Sequence, residues 1–167
     1  MAGKRDRWIM LAILLALVAA VLIVGFRVRQ QQLALEKAGA VRLIVQGRET
    51  VIPLSRLDRE TYTKEVIIGK GESRLDTYRG IEVRTLLTEY GYNVDQVSGM
   101  TVTAADQYSA EYSGDEIREP ERICLAVRMN DREIEGAEPG QPGVLVIAFG
   151  DPNMKRMIRN PVTLEVK

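Results

Sequence analysis

Residues 8 to 26, WIMLAILLALVAAVLIVGF, carry no charge over nineteen positions, and this run constrains the chain more than any other feature. At about 1.5 Å of rise per residue, a helix of that length reaches the roughly 30 Å hydrocarbon thickness of a bilayer. The sequence therefore predicts one membrane-spanning helix. The apolar region of a cleaved signal peptide is shorter, about 7 to 15 residues, and a core helix keeps polar residues on at least one face. Ala38-Gly39-Ala40 has the small-x-small form of a cleavage site but lies well beyond the apolar run. The expected layout is a basic N-terminus at 1–7, a signal anchor at 8–26, a linker at 27–40 and a domain at 41–167. Lys4, Arg5 and Arg7 before the run outnumber Arg27 and Arg29 after it. The positive-inside rule then sets the N-terminus in the cytoplasm and the domain outside, as a single-pass protein of the cell membrane. Residues 27–40, RVRQQQLALEKAGA, hold good helix formers and read as a helical continuation or a tether.

The composition removes several kinds of chemistry. There is no histidine and only one cysteine, Cys124. A lone cysteine makes no intramolecular disulfide, and without imidazole the usual zinc and non-haem iron ligand sets are unbuildable. The Ser-His-Asp and Cys-His arrangements fall for the same reason, because their general base is an imidazole. Overall charge is zero, but residues 1–37 hold six basic residues against Asp6 and Glu36, which leaves 17 basic and 21 acidic residues beyond them. A domain of net charge −4 has no electrostatic reason to seek a phosphate backbone, so nucleic acid is not an expected partner.

From Val41 the apolar period changes to two, with Val41, Leu43 and Val45 on one side of a strand, QGRE as a turn and Thr50–Leu54 as a hairpin partner. Further strands are expected at 64–68, 74–78, 100–104, 107–112, 123–128, 132–135, 144–149 and 162–166. GKGES, Met129-Asn130-Asp131 and Pro139-Gly140-Gln141-Pro142-Gly143 supply turns and a loop. Val83, Leu86, Leu87 and Tyr90 fall at i, i+3, i+4 and i+7 and predict one amphipathic helix, stopped by Gly91. Ser113 and Glu116 have the capping-box spacing for a second, short one ending near Pro120. The class is α+β with strands dominant.

Four stretches, in this order, resemble the molybdopterin-binding oxidoreductase domain of the sulfite oxidase family. TYRGIEVRTLLTEYG is similar to its helix entry, and VTAADQYSAEYS to its strand, Asp-Gly-Tyr turn and following strand. ICLAVRMNDREIEGAEPGQPGVLVIAF resembles its Leu-Ala strand, Asn-Gly turn, Gly-x-Pro loop and buried valine-rich strand. NMKRMIRNPVTLEV resembles its closing Val-Lys-Trp-Leu and Ile-x-Val stretch. The resemblance covers about residues 41–167 and implies a strand-rich sulfite oxidase-like fold behind the N-terminal helix.

The resemblance also implies candidate cofactor residues. Lys155 matches the lysine that helps hold the pyranopterin, and Arg156 and Arg159 add donors suited to phosphate; a solvated basic loop is the alternative. Asp106 and Tyr108 match the Asp-Gly-Tyr turn, with Gln107 in place of glycine, although such tyrosines also serve as edge packing. The family's molybdenum-ligating cysteine lies upstream, in a segment this chain does not have, so Cys124 is not that residue. Within its strand Cys124 reads as a small apolar side chain, alternating with Ile123, Leu125 and Val127. No catalytic or metal-ligating residue is expected, and no cofactor, with molybdopterin the one the resemblance allows. The expectation is a non-catalytic module that binds a redox partner protein or a small ligand, accessory to a redox system. The alternative is a molybdopterin-dependent oxidoreductase subunit that uses Lys155, Arg156 and Arg159 and receives missing ligands from a second chain.

Overall fold

The computed structural model describes residues 4–37, 39–67 and 72–167. Most of the GKGES turn lies outside them. The chain divides between Ala34 and Leu35 into two units. The first consists of most of α1 (Lys4–Lys37), so the helix runs through the apolar stretch and through most of the expected linker. Apolar side chains from Met10 to Phe26 stand exposed along it. Among the described residues no helix is long and apolar enough to cross a membrane.

The second unit opens with β1 (Ala40–Val45) and β2 (Arg48–Pro53), paired antiparallel from Ala40↔Pro53 to Val45↔Arg48. Gln46 and Gly47 both take positive φ, 50° and 77°, which gives a two-residue turn whose twist matches the strands it joins. β3 (Glu60–Ile67) and β4 (Ser73–Glu82) follow, both longer than expected because their paired charged and polar residues extend the ladder from Glu60↔Gly80 to Ile67↔Ser73. α2 (Val83–Glu89) buries Val83, Leu86 and Leu87, and Gly91 ends it at φ 80°. Tyr90 lies past the helix and is half exposed rather than part of the buried stripe.

β5 (Gly99–Ala104) and β6 (Ser109–Ser113) form the next hairpin. α3 (Gly114–Arg118) begins with the capping box in full: the Ser113 hydroxyl accepts from the Glu116 N–H, and the Glu116 carboxylate accepts from the Ser113 N–H at 2.9 Å. β7 (Ile123–Met129) turns through Asn130 and Asp131, again both at positive φ, into β8 (Arg132–Glu133). β9 (Leu145–Ala148), β10 (Ile158–Arg159) and β11 (Pro161–Val166) complete the chain. The pair at Ile158–Arg159 carries too little periodicity to be read as a strand, and β9 supplies the ladder that makes it one.

Two sheets result, β2-β1-β11-β5-β6 and β10-β9-β7-β4-β3, with β8 on β7. The main core lies between them and takes in α2 and Ile117 of α3. The second sheet is buried on both faces: Ile123 and Leu125 of β7 face that core, whereas Cys124 and Ala126 face a smaller cluster with Tyr62, Tyr78, Leu145, Ile147 and Phe149. That double burial explains the nearly continuous apolar character of β7 and β9. The architecture is α+β and strand-rich, with two sheets and few helices.

Candidate functional site

The candidate residues separate into two places. Arg156 sits at the end of a 3-10 turn, Met154–Arg156, that follows β9. Its Nη1 donates to Asp151 Oδ2 at 2.6 Å, its Nη2 to both oxygens of Glu116 at 2.8 Å, and its Nε to the Glu111 carbonyl at 3.2 Å. The guanidinium lies 4.8 Å from the Tyr112 ring centroid, within cation–π range, and the Tyr112 hydroxyl donates to the Arg156 carbonyl. Arg156 thus clasps the turn to β6 and α3 with every edge of its guanidinium occupied.

Lys155, Asp106 and Tyr108 flank this clasp. The Tyr108 hydroxyl donates to the Lys155 carbonyl at 2.6 Å, and Asp106 Oδ1 accepts from the Tyr108 N–H at 3.0 Å. Gln107 stands at φ 71°, a conformation that favours glycine, so the turn keeps its shape although the glycine is replaced. Asp106 and Tyr108 therefore shape a turn and brace the Lys155 backbone, while the Lys155 side chain is exposed.

Two carboxylates, Glu116 and Asp151, neither of them a candidate site residue from the sequence, carry the electrostatics of the clasp. Burial works to raise the Glu116 carboxyl, but hydrogen bonds from Arg156 and from Ser113, together with the Arg156 charge, outweigh it and hold Glu116 at about 2. Burial in turn pushes the Tyr112 hydroxyl up. The capping-box spacing was the one sequence signal at Glu116; nothing local marks Asp151.

Arg159 lies elsewhere. On β10 it lines a groove of about 530 Å³ with Arg74, Met129, Asn130, Arg132, Ile134 and the acidic pair Glu133 and Glu135. Beneath it is Asp76, only 1% exposed, which accepts Nε and Nη2 of Arg74 at 2.8 and 2.7 Å and Asn130 Nδ2 at 2.8 Å. The Arg74 hydrogen bonds overcome burial and lower the Asp76 carboxyl. The Tyr78 hydroxyl, also bonded to Asp76, is pushed up to about 12 by burial and by that charge. Glu133 pairs with Arg128 at 3.6 Å. Among the described residues Arg132 and Arg159 carry no ion pair of their own.

The fit to a pyranopterin can be tested on this arrangement. Lys155 and Arg156 belong to the clasp and Arg159 to the groove, so the three cations do not form one constellation, and the donors of Arg156 are already engaged by Glu116 and Asp151. As they stand, these residues do not fit the cofactor. Cys124 offers no ligand either: it is buried, and burial together with the charges of Glu82 and Glu60 pushes its thiol up. Among the described residues no group of acidic, cysteine or histidine side chains could hold a metal ion. Iodoacetamide is expected to alkylate Cys124 in the native chain at least about a hundredfold more slowly than in the urea-unfolded chain. Equal rates would show an accessible thiol.

Several solved structures share this fold, and one of them illustrates the likeness. It is the sulfane dehydrogenase SoxCD from Paracoccus pantotrophus, similar with a TM-score of 0.60 and 14% sequence identity, over 78% of this chain. The chain spans 38% of the length of that one. At such identity the likeness is one of fold, and it agrees with the two-sheet α+β architecture. No family model matches the sequence, and no curated protein matches it.

Proposed function

We propose that residues 41–167 form a non-catalytic binding module, tethered outside the cell membrane by α1 and accessory to a redox system. The observation that carries this reading is the engagement of Arg156 by Glu116 and Asp151, which withdraws from ligand binding the cation best placed beside Lys155. The groove is the better ligand site. Among the described residues Arg132 and Arg159 stand there without ion-pair partners beside the apolar Met129 and Ile134, an arrangement suited to an anion with an apolar part. The association with redox chemistry rests on the fold's likeness to part of a dehydrogenase, and fold alone does not bring the activity with it. The tether rests on the uncharged run and on its exposed side chains, which are disfavoured in water.

The test uses the full chain expressed in a host competent for molybdopterin synthesis. Purified protein is expected to hold far less than one molybdenum or pterin per chain, and its thermal midpoint to stay fixed when molybdopterin is added. A clear rise in midpoint, lost in Lys155→Ala or Arg159→Ala, would establish cofactor binding instead, because a ligand selective for the native state must stabilise it. The tether is tested separately. The chain is expected in the carbonate-resistant membrane fraction, with residues beyond about 40 open to protease added outside. A shortened, soluble product would mean that the N-terminal helix is removed as a leader.

A further inference from the structure

Among the described residues β3 is an edge strand whose one strand partner is β4, in a ladder without a register break. The direction of its free backbone groups follows from the next strand in. Thr77, opposite Thr63, turns its N–H to Asn130 Oδ1 at 2.9 Å and its carbonyl to the Asn130 N–H at 2.7 Å, both on the β7 side. Thr63 and Thr77 are therefore a non-hydrogen-bonded pair, in keeping with hydroxyls 3.2 Å apart. The N–H and C=O of Thr63 face out of the sheet, and by alternation so do those of Thr61 and Glu65. Among the described residues these groups have no backbone partner. Such a row is a template for another strand.

We propose that β3 pairs antiparallel with β3 of a second copy of this chain, about a two-fold axis through Tyr62. Outward groups can bond only to outward groups, which restricts the symmetric registers. Centred on Lys64, the register sets two ammonium groups against each other. Centred on Thr63, it opposes Glu60 to Val66 and Glu65 to Thr61, so no charge meets its opposite. Centred on Tyr62, it sets Glu60 against Lys64 of the second copy, Arg59 against its Glu65 and Thr61 against its Thr63. Each charge of β3 then meets an opposite one, with Arg59 just before the strand serving Glu65, and such cross-strand pairs are favourable. Charges on an edge can also serve to keep strands apart. Repulsion alone, however, does not require this self-complementary order. Lys64 already reaches Glu121 and Arg59 reaches Glu89 within the chain, so the new pairs extend existing ones. A ladder this short buries less than a standard interface, so the association is reversible.

The register is tested by mixing full-length Glu60→Cys and Lys64→Cys chains in detergent micelles under mild oxidation. Disulfide between the two variants is expected to exceed either homodimer by at least about tenfold, since only that pairing brings the two sulfurs within bonding reach. Adding Thr63→Pro to both chains is expected to abolish it, because the lost N–H has no backbone partner among the described residues and proline is tolerated at a strand edge. Should that variant fail to fold, Lys64→Glu alone in a crosslinking assay of the native edge is expected to weaken pairing about tenfold, and Glu60→Lys/Lys64→Glu to restore it. No heterodisulfide, or one that survives Thr63→Pro in folded chains, overturns the proposal and leaves the edge to a strand of another protein. The Cys readout is specific to β3, so association through α1 cannot imitate it.

Discussion

Arg156→Ala is expected to lower the stability of the domain by about 3 kcal/mol at neutral pH, in the range found when one partner of a buried charge pair is removed. The variant leaves Asp151 without its guanidinium and Glu116 with only Ser113 and a distant Arg122 at 3.9 Å, while the side chains of Asp151 and Glu116 are 9% and 19% exposed. Acid makes the effect diagnostic. The Glu116 carboxyl titrates at about 2 in the folded chain against 4.5 for an unperturbed glutamate, so its contribution is complete above pH 4.5 and fades as the pH falls toward 2. At about 1.4 kcal/mol per pH unit, that difference amounts to roughly 3 kcal/mol. Urea unfolding of both chains from pH 7 down to pH 2.5 should therefore show the gap between wild type and variant closing with acid. Arg156→Lys should recover only part of the loss, since an ammonium cannot bridge two carboxylates and a carbonyl as a planar fork does. Wild-type stability in Arg156→Ala, with ligand binding lost, would make Arg156 a ligand contact and not a clasp.

The second large effect is expected at Gly80. The β4–β7 register shifts between Arg79 and Gly80, and the glycine lets the two backbones approach so closely that a Cβ there would stand 2.1 Å from the Leu125 carbonyl oxygen and 2.7 Å from the Ala126 Cα. Both obstacles are backbone in a strand buried on both faces, so neither can swing aside. Gly80→Ala is expected to cost at least about 3 kcal/mol, the upper part of the range for overpacked cores, and to lower the thermal midpoint by several degrees or leave the chain insoluble. Gly47→Ala makes a useful contrast, since nothing lies within 4 Å of its Cβ position and only the positive φ resists it. A loss at Gly80 no larger than at Gly47 would show that β7 yields to the added methyl group and that crowding does not set the requirement there.

How far the candidate site could be read in advance follows from the range of the interactions involved. Asp106 and Tyr108 were legible as a turn because an aspartate that accepts its own backbone N–H two residues on needs no distant partner. The placement of Lys155 and Arg156 beside that turn was not legible, because it depends on Tyr108 and Tyr112 reaching carbonyls some forty-five positions away. Arg159, three residues beyond Arg156, looked like part of the same basic cluster. The short β10 pairs with β9 and carries Arg159 into the groove with Arg74 and Arg132 instead. Asp76 showed no signal as a buried acid, since its partners Arg74 and Tyr78 share its strand face but Asn130 arrives from the β7–β8 turn.

Local chemistry was written in the chain itself. Gln46-Gly47 makes its turn, Ser113 and Glu116 cap α3, and Val83, Leu86 and Leu87 align along α2 up to Gly91, because each involves a few neighbouring residues and one or two hydrogen bonds. The strand-rich α+β class and the duty of Cys124 as a buried apolar residue follow from the same short-range alternation. Tertiary structure alone decided that β1 lies parallel to β11, with Arg42 opposite Thr163, and that two sheets enclose the core. It alone decided that Arg156 closes on Glu116 and Asp151 and leaves Arg159 to another surface. Pairing of such distant segments is selected by the joint burial of whole sheet faces against the entropy of closing long loops, a balance that no short window of sequence contains.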